Sequence, residues 1–106
     1  MNKLMSYIGL AKKAGKCVVG TELTRTAARC GRAKLILVAS DASPNAIKRA
    51  EDLAAYYKLP LLHIPLDTQA LGHAAGKPPA AMAAVEEAFV QMIQKAIPDV
   101  QPDNGQ

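Results

Sequence analysis

Aromatic residues are scarce in this chain of 106 residues: they make up 4% of it, and tryptophan is absent. Half of the residues are hydrophobic, so extensive disorder is not expected. The core must therefore be built from Ala, Leu, Ile and Val, which favours close packing of helices on a sheet. A chain of this length is sufficient for one domain with a single core.

Long apolar runs are also missing near the N-terminus, where Lys3, Lys12 and Lys13 interrupt the hydrophobic residues. The sequence therefore predicts neither a signal peptide nor a membrane span, and we expect a cytoplasmic location. The cysteines, Cys17 and Cys30, fit no metal-ligand spacing. In a reducing compartment we expect both to be buried thiols rather than a disulfide.

Enzyme motifs are lacking as well. No glycine-rich loop ends in Lys-Ser or Lys-Thr, which excludes a P-loop for nucleotide hydrolysis. His63 is interpreted as a packed or surface residue, His73 as an exposed helical residue, and Asp41 as part of the turn before Pro44. We expect no catalytic residue, no metal and no cofactor; an enzyme would require turnover that fails when His73 or Asp41 is substituted.

Hydrophobic periodicity and turn residues predict nine elements in the order α-β-α-β-α-β-α-β-α. Helices are predicted at 3–14, about 21–30, from Ser43-Pro44 to before Pro60, from Asp67 or Thr68 to Ala74, and at 86–97. Strands are predicted at 17–19, 34–39, 61–64 and 80–85, the last being alanine-rich and interpreted as a short buried strand. Such alternation implies one sheet with helices on both faces, although local pattern does not settle the strand order. Residues 1–97 are the expected single domain, and residues 98–106 the expected disordered tail.

Positive charge is concentrated on the second predicted helix. The net charge of +4 is compatible with a polyanionic partner without establishing one. On a helical wheel the apolar stripe consists of Leu23, Ala27 and Cys30. The opposite face carries three arginines: Arg25, Arg29 and Arg32. Arginine suits phosphate because its planar guanidinium can donate two hydrogen bonds at once, although arginines on an outer helix face are often only solvated.

The second helix begins directly after Gly20, which lets another backbone come close. The first N–H groups of a helix carry partial positive charge and favour phosphate. Lys12, Lys13 and Lys16 lie just upstream and could add to the same field. The start of this helix is therefore a candidate phosphate-binding site.

A family resemblance covers about residues 3–95. The stretch from Gly20 to Pro44, GTELTRTAARCGRAKLILVASDASP, resembles the signature region of the ribosomal protein L-seven-Ae family. The segment LGHAAG, from Leu71 to Gly76, is similar to that family's Leu-Gly-x-Ala-x-Gly segment, and the intervening helix, strand and Pro60 fit the family's spacing. The small bacterial YlxQ-like members look most similar. The resemblance implies a three-layer α/β/α sandwich with a mixed four-stranded sheet, and binding to kink-turn RNA or a related irregular element.

Position by position, Gly20 and Thr21 match the family's Gly-Thr, whereas Glu22, Leu23 and Thr26 stand where archaeal members have Asn, Glu and Lys. A carboxylate at Glu22 can accept a hydrogen bond from a base amino group but repels phosphate. The segment 77–79 matches the family's second RNA-facing loop. The RNA-binding residues expected from the charge pattern and the resemblance are Lys16, Gly20, Thr21, Glu22, Arg25, Thr26, Arg29, Arg32, Lys77, Pro78 and Pro79.

The expected function is non-enzymatic binding of structured ribosomal or regulatory RNA by a monomer that associates with the ribosome and not with a membrane. A different class stays open: the domain could be a protein–protein adaptor that uses the same surface, with the alanine-rich segment and the Pro-Pro loop docking a partner. Salt-sensitive RNA affinity that is lost on changing Arg25 and Arg29 would favour RNA binding. Binding to a protein that survives nuclease and those changes would favour the adaptor.

Overall fold

The structure, a computed structural model, describes residues 3–97, and these form an α/β/α sandwich. The helices are α1 (Lys3–Lys13), α2 (Thr21–Arg29), α3 (Pro44–Tyr57), α4 (Thr68–Ala74) and α5 (Glu87–Ala96). The strands are β1 (Cys17–Val19), β2 (Leu35–Val38), β3 (Leu61–His63) and β4 (Met82–Val85). The order of elements predicted from the sequence is confirmed, including a strand in the alanine-rich segment. The predicted tail, residues 98–106, lies outside the described residues.

Two helix starts are fixed by local side-chain caps. The Ser43 hydroxyl accepts a hydrogen bond from the N–H of Ala46 at 3.2 Å, and Pro44 occupies the first helical position of α3. The Asp67 carboxylate accepts from the N–H of Ala70 at 2.7 Å and caps α4 in the same way. Because these contacts span only three residues, the sequence could predict both starts.

The sheet is mixed, with strand order β1-β4-β2-β3. Strand β4 is antiparallel to both of its neighbours, whereas β2 and β3 run parallel. The side chains of β2 alternate between the two faces, as a period of two requires. Leu35 and Leu37 belong to a core with α1, α4 and α5, while Ile36 and Val38 pack on the α3 side. No helix within residues 3–97 is long and apolar enough to cross a membrane.

The sheet has two ends that matter for function. At one end, the N–H of Gly20 donates to the carbonyl oxygen of Met82 at 2.9 Å. At the other end, the N–H of Glu86 donates to the carbonyl oxygen of Lys16 at 2.8 Å, and the N–H of Lys34 to that of Val85 at 2.8 Å. We call these the Gly20 end and the Glu86 end. Every loop of the molecule can be assigned to one of them by following the strands.

Helix α2 turns a different face to the sheet from the one predicted. Its buried residues are Thr24, Ala27 and Ala28. Leu23 is 42% exposed and Cys30 is also exposed, so the predicted apolar stripe is wrong at both positions. The physical reason is the contact of α2 with Ala33 and Ala84, where small side chains let the helix approach the sheet closely. Both thiols are free as expected, and Cys17 is buried, but the expectation of a buried thiol is wrong for Cys30.

Candidate nucleic-acid interface

The start of α2 is an open helix N-terminus at the Gly20 end. Gly20 has φ 128° and ψ 149°, a backbone conformation that side-chain-bearing residues rarely adopt. Gly20 precedes α2 without a capping side chain, so the helix begins without the side-chain acceptor seen at α3 and α4. The first N–H groups of the helix are therefore available to an external acceptor such as a phosphate oxygen.

The loop from Lys77 to Pro79 is fastened to α4 by backbone hydrogen bonds. The N–H of Lys77 donates to the carbonyl oxygen of Gly72 at 2.9 Å, and the N–H of Ala80 to that of Thr68 at 3.1 Å. Gly72 leaves no room for a Cβ atom, because that atom would overlap with the carbonyl group of Pro78. The second position of the LGHAAG segment is thus glycine because the loop lies directly on it.

The α2 start and this loop lie at the same end of the sheet. Gly20 is hydrogen-bonded to Met82, the first residue of β4. The loop Lys77–Pro79 ends three residues before Met82 and leads into the same strand. Lys77, Pro78 and Pro79 are all exposed. His73, also exposed, lines a shallow depression of about 560 Å³ together with Lys77 and Pro79. The two segments that the resemblance assigns to RNA are therefore brought to one edge.

The three arginines do not form one face. The Arg25 guanidinium donates to both carboxylate oxygens of Glu22 at 2.7 Å, close to the start of α2. Arg32 instead contacts Glu86, with hydrogen bonds of 3.0 and 2.7 Å, at the opposite end of the sheet. The prediction of a shared face is wrong for Arg32, because α2 ends at Arg29 and the chain then turns.

The other predicted site residues divide in the same way. Lys16 lies at the Glu86 end, with its ammonium 4.0 Å from the Glu86 carboxylate. Thr21 is half-buried at the first position of α2, and Thr26 is exposed on its surface. Arg29 is exposed on the last turn, away from Gly20. The Gly20 end therefore holds Gly20, Thr21, Glu22, Arg25, Lys77, Pro78 and Pro79.

Helix α3 adds a groove that the sequence did not predict. This groove of about 700 Å³ is lined by Thr21, Glu22, Arg25, Arg49, Asp52, Leu53, Tyr56, Tyr57 and Met82. The Tyr56 side chain is 79% exposed, and its ring stands edge-on to that of Tyr57 with centroids 4.8 Å apart. Helical spacing places Arg49 and Tyr56 on one side of α3, but only the packed structure reveals that this side adjoins α2.

Asp41 has a structural role across two loops. Its carboxylate accepts a hydrogen bond from the N–H of Thr68 at 2.7 Å, which ties the segment after β2 to the start of α4. The sequence assigned it only to the local turn before Pro44. The histidines are exposed, and among residues 3–97 no three His, Cys, Asp or Glu side chains are grouped as metal ligands.

Cys17 is a buried thiol in β1. Burial raises its pKa from 9.0 to about 12, because the thiolate would lose its hydration, while the positive charge of Lys12 acts weakly in the opposite direction. A thiol held in its neutral form is a poor nucleophile. Cys17 is therefore part of the core rather than a reactive group.

The chain is similar to known proteins over most of its length. The sequence model of the ribosomal protein L7Ae/L30e/S12e/Gadd45 family matches residues 2–92. This range includes α2, the LGHAAG segment and the loop after it. The chain belongs to this family.

Two curated relatives are bacterial. RNA-binding protein YlxQ of Enterococcus faecium is 35% identical over 95 residues, which cover 90% of this chain and 91% of that protein. RNA-binding protein YlxQ of Bacillus subtilis (strain 168) is 38% identical over 80 residues, or 76% of this chain and 79% of that protein. The match to YlxQ-type proteins thus extends over most of both sequences.

Solved structures share the L7Ae-type fold. A protein of unknown function from Bacillus halodurans C superposes with a TM-score of 0.80 at 28% identity, covering 92% of this chain and 98% of that one. The 15.5 kD RNA-binding protein of Giardia lamblia superposes with a TM-score of 0.69 at 20% identity, covering 92% and 84% of the two chains. The second likeness concerns the fold alone.

Proposed function

We propose that this protein binds structured RNA, without catalysis, through the Gly20 end of its sheet. One observation carries the proposal: the hydrogen bond from Gly20 to Met82 holds the open start of α2 at the same edge as the loop Lys77–Pro79. The family match and the RNA-binding names of the YlxQ relatives support RNA as the partner.

The chemistry of this edge suits a bent RNA backbone. The first N–H groups of α2 and the Lys77 ammonium bind phosphate oxygens. Pro78 and Pro79 offer a stiff apolar surface to an unstacked base. Regular A-form RNA hides its base edges, whereas kinks and bulges expose them, so an irregular element is the better partner.

The Glu22 carboxylate competes with RNA phosphate for the Arg25 guanidinium. In the protein alone, the Glu22 carboxylate occupies the Arg25 guanidinium with two short hydrogen bonds. A phosphate must displace this carboxylate, after which Glu22 can accept a hydrogen bond from a base amino group. The pair is exposed and worth little on its own, so phosphate can replace it at small cost.

The finer parts of the proposal are a kink-turn or similar RNA element as the target, association with the ribosome, and action as a cytoplasmic monomer. Residues 1–97 act as the RNA-binding unit. The family resemblance motivates the kink-turn target, in spite of the substitutions at Glu22, Leu23 and Thr26.

A titration with two RNAs tests the proposal. One RNA carries a kink-turn, and the other has its tandem G·A pairs replaced by Watson–Crick pairs. We expect tighter binding to the first, and loss of affinity in an Arg25→Gln/Lys77→Gln variant. A control variant with the same charge change away from the site, Lys58→Gln/Lys95→Gln, retains binding. Absence of binding to either RNA contradicts RNA binding, and equal binding to both contradicts kink-turn recognition.

The groove between α2 and α3 favours one second candidate, a protein–protein adaptor. It combines the exposed Tyr56 ring with charges of both signs, as interfaces often do. Capture of a protein partner that persists after nuclease treatment, and in an Arg25→Gln/Arg29→Gln variant, would favour this function over RNA binding.

A further inference from the structure

The Glu86 end of the sheet gathers five basic residues from separate segments of the chain. Lys12 and Lys13 end α1, Lys16 precedes β1, Arg32 follows α2 and Lys34 precedes β2. We call these five residues the basic cluster. Lys12, Lys13 and Lys16 were expected to add to the field at the start of α2, but the fold places them at the other end of the sheet.

Backbone contacts hold the segments of the basic cluster together. The N–H of Glu86 donates to Lys16, and Arg32 donates to the carbonyl oxygen of Gly15 at 3.4 Å. The N–H of Lys34 donates to Val85, next to Glu86. These hydrogen bonds hold the segments that carry the positive charges together at one end of the sheet.

The basic cluster is not neutralised by the protein. Among the described residues, the acidic side chain that pairs with this cluster is Glu86, and its carboxylate is shared by Lys16 and Arg32. Within residues 3–97, Lys12, Lys13 and Lys34 make no ion pair. An excess of one sign of charge on a surface attracts a polyanion and raises its rate of association.

We propose that the basic cluster binds the phosphate backbone of a second RNA segment, so that the protein contacts RNA at both ends of its sheet. This inference rests on the proposed function of the Gly20 end. Ammonium and guanidinium groups without an interleaved aromatic ring bind phosphates independently of sequence, which distinguishes this surface from a base-reading site. The nine residues of α2, roughly 13 Å of helix, separate the two ends.

A purely structural role for these lysines predicts something different. Lys12 and Lys13 lie at the C-terminus of α1, where positive charge stabilises the helix dipole. If that were their only role, removing charge would change stability and leave the salt dependence of RNA binding unaltered. Salt dependence therefore separates the two roles, because its slope reports the number of phosphates that the protein contacts.

The experiment measures RNA affinity across a series of salt concentrations for the full chain. The test variant is Lys13→Gln/Lys34→Gln, which removes two exposed charges that make no ion pair. The matched control is Lys48→Gln/Lys95→Gln, which makes the same change in net charge on α3 and near the end of α5, away from the Glu86 end. Each protein is titrated with a short kink-turn hairpin and with the same hairpin carrying a long duplex arm. In a further titration, a separate labelled duplex is added to the protein after it has been saturated with the short hairpin.

We expect the test variant to lower the slope of log affinity against log salt by about two with the armed RNA, since each lost phosphate contact removes about one. The control variant and the short hairpin should show no such change. If the separate duplex binds, the second segment is another RNA molecule. If the duplex does not bind but the salt slope still changes with the RNA that carries the duplex arm, the second segment is a helix that flanks the kink-turn. Equal slopes for test and control overturn the proposal, whereas a wild-type protein that binds no RNA contradicts the proposed function itself.

Discussion

A methyl group on Gly72 would overlap with the carbonyl oxygen of Pro78. The α4 helix and the loop Lys77–Pro79 are therefore in direct backbone contact. The loop can take this position because Gly72 has no side chain. The same glycine accepts the hydrogen bond from the N–H of Lys77. The candidate RNA surface is thus shaped by packing beneath it as well as by the residues exposed on it.

Gly72→Ala should displace the loop. We expect the free energy of unfolding to fall by about 1–3 kcal/mol, as in other over-packed sites, and RNA affinity to fall because Lys77 and the prolines move. Chemical denaturation and RNA titration measure the two effects. His73→Ala, at the adjacent exposed position, serves as the control and should change stability by no more than about 0.5 kcal/mol. Unchanged stability and affinity in Gly72→Ala would contradict this account of the loop.

Removing the carboxylate at Glu22 should strengthen RNA binding. Glu22→Gln frees the Arg25 guanidinium and eliminates repulsion of phosphate, while stability changes by only about 0.2–1 kcal/mol because the pair is exposed. The gain should vanish in Glu22→Gln/Arg25→Gln. Glu51→Gln removes an exposed carboxylate of α3 that does not line the groove with Glu22 and Arg25, and it provides a charge-matched control. A loss of affinity in Glu22→Gln would mean that the carboxylate contributes more as an acceptor from RNA than it costs by repulsion.

Thr24→Val should stabilise the protein. The Thr24 side chain is fully buried, and its hydroxyl has no hydrogen-bond partner. A buried hydroxyl without a partner is unfavourable, so replacing it with a methyl group should raise the free energy of unfolding by about 1 kcal/mol. Urea denaturation compares it with Thr26→Val on the exposed face of α2, which should be nearly neutral. A destabilised Thr24→Val would indicate that the hydroxyl is hydrogen-bonded in solution.

Stability should fall at alkaline pH because of Cys17. Its thiol has a pKa of about 12 in the fold and 9.0 as the ordinary value, so the unfolded chain loses this proton first. The stabilisation is complete below about pH 9 and decreases towards pH 12 by up to about 1.4 kcal/mol per pH unit. Cys17→Ala should remove this component of the pH dependence, whereas Cys30→Ala should keep it. Identical alkaline profiles for the two variants would show that the Cys17 thiol is not held neutral by burial.

Much of the fold could be predicted because its determinants are local. Ser43 and Asp67 cap helices through contacts three residues away, and the unbroken apolar run of β2 indicates a central strand. The strand order β1-β4-β2-β3 depends instead on pairings between distant segments, which periodicity does not report. The orientation of α2 was mistaken for a related reason: Leu23 has the more hydrophobic side chain, but the close contact with the sheet admits only Thr24, Ala27 and Ala28.

The sequence by itself determined the alternation of helices and strands, the glycine that opens α2 and the loop Lys77–Pro79, because each depends on neighbouring residues. Only the tertiary structure decided which charged residues are neighbours. Gly20 and Met82 adjoin at one end of the sheet, while Lys16 and Arg32 converge on Glu86 at the other. The reason is that β1 carries the chain from one end of the sheet to the other between Lys16 and Gly20, so residues close in sequence lie at opposite ends of the sheet.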